Sequence, residues 1–126
     1  MSYIGLYADK ELKREIPKRS INNKPTWILQ FPYLNVEEER TWEIYLENQS
    51  MGEIENLTIK ASPPRDKVGR IKEGVKVILS NSELNILPLG KTHRFLVTWM
   101  VMAEHQVKAG PCSVGLTIEG LITEEE

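Results

Sequence analysis

The stretch HRFLVTWMVM, His93 to Met102, decides how this chain is read. Its β-branched and aromatic residues specify a strand, and successive side chains of a strand point to opposite faces. One stripe is Phe95, Val97, Trp99 and Val101; the other is Leu96, Thr98, Met100 and Met102. A strand with one wet face alternates apolar and polar residues, whereas this one is apolar on both sides from Phe95 onward. The first stripe is the expected core. The second needs a cover.

A candidate neighbour is CSVGLTIEGLI (Cys112 to Ile122), which sets Val114, Leu116 and Ile118 against Ser113, Gly115, Thr117 and Glu119. If the two strands pair, Leu96, Met100 and Met102 lie beside the small residues around Gly115. Two covers are then expected. Either PTWILQFPY folds its Trp27, Leu29, Phe31, Tyr33 stripe over that face, or a second subunit does, for which methionines and small residues suit an adaptable interface. The candidate interface residues are Leu96, Met100, Met102, Gly115, Trp27 and Phe31.

The remaining chain reads as more short strands. TWEIYLEN alternates cleanly, with Trp42, Ile44 and Leu46 on one side. The turn NQSMGE is expected to fold IENLTIKA back on it as a hairpin. GVKVILS and ELNIL flank an SNS turn, and PLGK is a tight turn before His93. SPPRDKVGRIKEG, Ser62 to Gly74, is expected to be the loosest loop, and ADKELKREIPKRS to be polar, with Pro17 stopping any helix. Turn signals about every 8–12 residues and no amphipathic helix predict an all-β fold: an antiparallel β-sandwich of roughly seven to nine strands. The 126 residues form one domain, with 1–34 an N-terminal arm or edge segment.

A net charge of −2 supplies no field for nucleic acid or anionic lipid, although Lys10, Lys13, Arg14, Lys18 and Arg19 cluster. No apolar run approaches signal-peptide or membrane-spanning length. Together with a lone cysteine, Cys112, this predicts synthesis in a reducing cytoplasm, with departure inside a larger particle such as a virion open. His93 and His105 with Cys112 lack zinc spacing; His93 is expected at the core edge with one hydrogen bond. No nucleophile, phosphate-loop or metalloprotease motif occurs, so neither enzymatic activity nor a cofactor is expected. Asn48-Gln-Ser50 and Asn56-Leu-Thr58 fit the glycosylation sequon and read as coincidences of turn and strand sequence.

WEIYLENQSMGEIENLTIKAS, ILPLGKTHRFLVTW and AGPCSVGLTIEG together resemble strand-and-turn patterns of immunoglobulin-like modules. The nearest are bacterial and archaeal NEW3-type and CARDB-type adhesion modules and similar units in virion proteins, over roughly Tyr33 to Thr123. VEEE stands where those modules carry a proline-glycine turn. The resemblance implies no catalytic residues. The uncovered apolar face and the lack of site chemistry, joined to fold analogy, predict a structural protein that self-associates as a homo-oligomer and docks on a capsid as decoration, or on a tail. A carbohydrate-binding or adhesion module using Tyr33 or Tyr45 is the alternative.

Overall fold

The structure is a computed structural model, and it describes residues 4–31, 39–66, 68–71, 74–102 and 112–124. Among the described residues nine strands form: β1 (Ile4–Tyr7), β2 (Lys18–Ile21), β3 (Lys24–Phe31), β4 (Glu39–Asn48), β5 (Gly52–Ala61), β6 (Val75–Ser80), β7 (Glu83–Leu87), β8 (Thr92–Val101) and β9 (Cys112–Glu124). They build two antiparallel sheets, β1-β4-β8-β6 and β2-β3-β9-β5-β7, so the expected β-sandwich is what forms.

The strands that dominate the sequence sit at the centres of the two sheets. Phe95, Val97 and Trp99 of β8 are buried, as are Val114 and Leu116 of β9. They belong to different sheets, so β8 and β9 face one another across the core instead of pairing side by side. Trp27, Leu29 and Phe31 of β3 face the same core, because β3 pairs with β9, Trp27 opposite Leu116 and Phe31 opposite Cys112. The N-terminal segment is therefore part of the sandwich rather than an arm laid over it. Near one end Phe31 stacks on Trp99 at 4.4 Å between ring centres, and Trp42 meets Trp99 edge-on at 4.3 Å. Such aromatic contacts add roughly 0.5–1.5 kcal/mol each beyond their buried area.

Connections decide the topology. The only link within one sheet among β1 to β9 is β2 to β3, turned by Asn22 and Asn23 at φ of 52° and 63°. Two consecutive residues at positive φ make a type I′ hairpin turn, and asparagine tolerates that region better than other side chains. From β3 onward every connection crosses from one sheet to the other. That is jelly-roll connectivity rather than two sheets built from hairpins.

The expected β4–β5 hairpin is one of these crossings. Its reason is Asn48, which is 1% exposed. Its side-chain amide donates to the carbonyls of Gly52 and Leu87, both at 2.9 Å, and its Oδ1 accepts from the Ser50 amide and hydroxyl. One side chain thus satisfies backbone groups that leave a ladder when the chain changes sheet. The segment expected to be loosest is tethered: Ser62 and Arg65 exchange hydrogen bonds with Gly115 and Ser113 of β9, and Asp66 caps the amides of Val68 and Arg70.

Candidate functional site

The outer face of the β1-β4-β8-β6 sheet answers what covers the second stripe of β8. Leu96 lies between Glu43 of β4 and Ser80 of β6, and Met100 between Glu39 and Lys76. Between them Thr98 bonds Thr41, hydroxyl to hydroxyl, at 2.8 Å and sits opposite Ile78. Leu96, Met100 and Met102 are half-buried. A central strand has neighbours on both sides, and the stems of long charged residues lie along apolar surface while their heads stay wet. The strand's own sheet supplies a partial cover.

The six candidate residues do not share a surface. Leu96 and Met100 face outward on the β8 sheet, and Gly115 lies on the outward face of the opposite sheet. Trp27 and Phe31 are 4% and 1% exposed, buried between the sheets and closed to a partner. Gly115 also has a local reason to be glycine. A Cβ there would lie 2.8 Å from the Thr26 methyl and 3.2 Å from the Ser62 hydroxyl, so the space is already filled.

Beside Leu96, Glu43 accepts hydrogen bonds from Tyr45 Oη at 2.9 Å and from Arg94 Nη1 at 3.0 Å. The bond to the carboxylate pushes the Tyr45 phenol above its ordinary 10.0, since it holds the proton on the oxygen. Glu43 and Tyr45 border a groove of about 660 Å³, where β1 ends and, among the described residues, leaves the first half of β4 as an open edge. Trp42, Tyr45, Asp9, Arg14 and Glu43 line it. A second groove, about 420 Å³, lies on the other sheet beside Arg19, Gln30, Arg65 and Ser113.

The signals missed in the sequence are on that second sheet. Across β9, β5 and β7, Leu121, Glu55 and Ile86 stand side by side in one row. Leu121 is 65% exposed and Ile86 49%. The turns at this end hold two more exposed apolar side chains, Met51 and Leu89. ELNIL gives no hint of this, because isoleucine and leucine in a short strand read as core, whereas alternation along IEGLI already sets Leu121 with Gly115 and Glu119. A bulge in β5 at Asn56 (φ 53°) reverses the alternation of β5, so that Ile54 and Leu57 both face the core; β7 follows, with Leu87 and Leu84 opposite them, which turns Ile86 outward, while β9 keeps its alternation.

His93 is buried, with its Nε2 2.7 Å from the Asn81 carbonyl, and Cys112 is buried. Among the described residues no three His, Cys, Asp or Glu side chains are grouped to hold a metal, and no helix is long and apolar enough to cross a membrane. His105 and Tyr33 lie outside the described residues. Asn48, the first sequon asparagine, is closed by burial and by its own hydrogen bonds, whereas Asn56 is exposed. In comparison with known proteins the chain matches no family model, no curated protein and no solved structure.

Proposed function

We propose that this chain is a non-enzymatic structural protein that acts by self-association and by docking on a larger assembly. The observation that carries the reading is the exposed row of Leu121 and Ile86. Burying each such side chain in a contact contributes about 1.5–3 kcal/mol, so a pair of them held out to water favours association. Placement on a virion, as capsid decoration or tail component, is the fuller form of this proposal. It is supported by the resemblance of the strand-and-turn motifs and by the use of jelly rolls in capsid domains, an argument from fold analogy.

Sedimentation velocity across a concentration series tests it. The unaltered protein associates, and Leu121→Lys combined with Ile86→Lys abolishes association without changing the circular dichroism. Leu96→Glu and Met100→Lys probe the opposite face in parallel; loss of association there assigns the contact to β8. A protein that stays monomeric at every concentration refutes self-association.

The groove beside β4 favours a second reading, carbohydrate binding, because an aromatic pair with carboxylates and an arginine suits a sugar's faces and hydroxyls. Glycan binding that is lost in Tyr45→Ala while the oligomer persists would establish it.

A further inference from the structure

Among the described residues the β2-β3-β9-β5-β7 sheet ends in two open edges, β2 and β7, each paired on one side only. Such edges are templates for another strand, and proteins blunt them with short length and charge. Here the charges have opposite signs. On the outward face the β2 edge carries Arg19 and Ile21, with Lys24 opposite Ile21. The β7 edge carries Glu83 and Ile86, with Glu55 opposite Ile86. All but Glu55 are exposed, and among the described residues none of these four charges is in an ion pair. Edges of like charge would keep copies apart however they met. Edges of opposite charge make one meeting attractive, β2 against β7, and set one exposed isoleucine on each side of it.

We infer that the partner of the β7 edge is the β2 edge of a second copy of this chain. The two strands, four and five residues long, join the sheets of successive copies into one. The contact is heterologous, so each copy keeps one free edge, and repetition gives a ring or an open row rather than a closed two-fold dimer. The inference rests on self-association and specifies its geometry.

Charge reversal tests it. One variant carries Arg19→Glu with Lys24→Glu and so has two acidic edges; the other carries Glu83→Lys with Glu55→Lys and has two basic edges. Circular dichroism first establishes that both are folded. In sedimentation velocity each alone associates at least about tenfold more weakly than the unaltered protein, because like charges now meet. Mixing the two restores association, since each acidic edge finds a basic one. If the unaltered protein associates and the single variants do so equally well, the edge contact is wrong while self-association stands. If both variants lose association and the mixture fails to recover it, the two edges do not meet one another and the inference falls. An unaltered protein that is monomeric throughout overturns both.

Discussion

Replacing Asn48 measures how much the sheet crossing depends on one side chain. In Asn48→Ala the Leu87 carbonyl and the Ser50 amide lose the Asn48 side chain, while the Ser50 hydroxyl, freed from Asn48 Oδ1, donates to the Gly52 carbonyl 2.8 Å away. Each stranded buried group costs about 1–3 kcal/mol, so the expected loss is about 2–6 kcal/mol, a large share of a typical domain's stability. Urea unfolding followed by tryptophan fluorescence reads it, because Trp27 and Trp99 are buried and Trp42 is partly so. With a slope of about 2 kcal/mol per molar urea, the midpoint falls by roughly 1–3 M. Asn48→Asp keeps the shape but turns a carboxylate towards two carbonyl oxygens, and costs more than alanine. Gln49→Ala, next along the chain but exposed, shifts stability by less than about 0.5 kcal/mol. An Asn48→Ala midpoint indistinguishable from that of Gln49→Ala refutes the reasoning.

Three further outcomes are expected. Gly115→Ala destabilises by about 1–3 kcal/mol through overlap with the Thr26 methyl, and adding Thr26→Ser recovers most of it in a double-mutant cycle by denaturation. The Tyr45 phenol, held above 10.0 by Glu43, shows a raised midpoint in an absorbance titration. A raised folded value means that its contribution to stability is complete below about pH 10 and is lost as pH rises through the folded value, and Glu43→Ala moves the titration back down. Trp99 Nε1 is buried without a hydrogen-bond partner, so Trp99→Phe removes ring contacts but also relieves a stranded donor. The net change is less than about 2 kcal/mol by denaturation, well below the about 3–5 kcal/mol of a large aromatic cut to alanine.

The sequence by itself determined the strands and their inward faces. Alternation in β4, β8 and β9 marks Ile44, Leu46, Phe95, Val97, Trp99, Val114 and Leu116 as core, and all are buried. It could do so because these three strands keep the two-residue period, which the bulge at Asn56 breaks in β5. Turn asparagines carried a local signal too, since Asn22, Asn23, Asn56 and Asn81 all adopt positive φ. β2 escaped notice, because KRSI has no apolar stripe and all four residues are exposed.

What only the tertiary structure decided is which sheet each strand joins. A strand's pattern fixes the face it buries and is silent on its neighbours, which are selected by contacts far apart in sequence. The NQSMG turn looks like a hairpin until the Asn48 amide is seen bonded to Leu87, thirty-nine residues away. The same choice put β8 and β9 on opposite sides of the core. It thereby separated Leu96 from Gly115 and left Leu121, Ile86 and two oppositely charged edges as the surface that the other sheet presents.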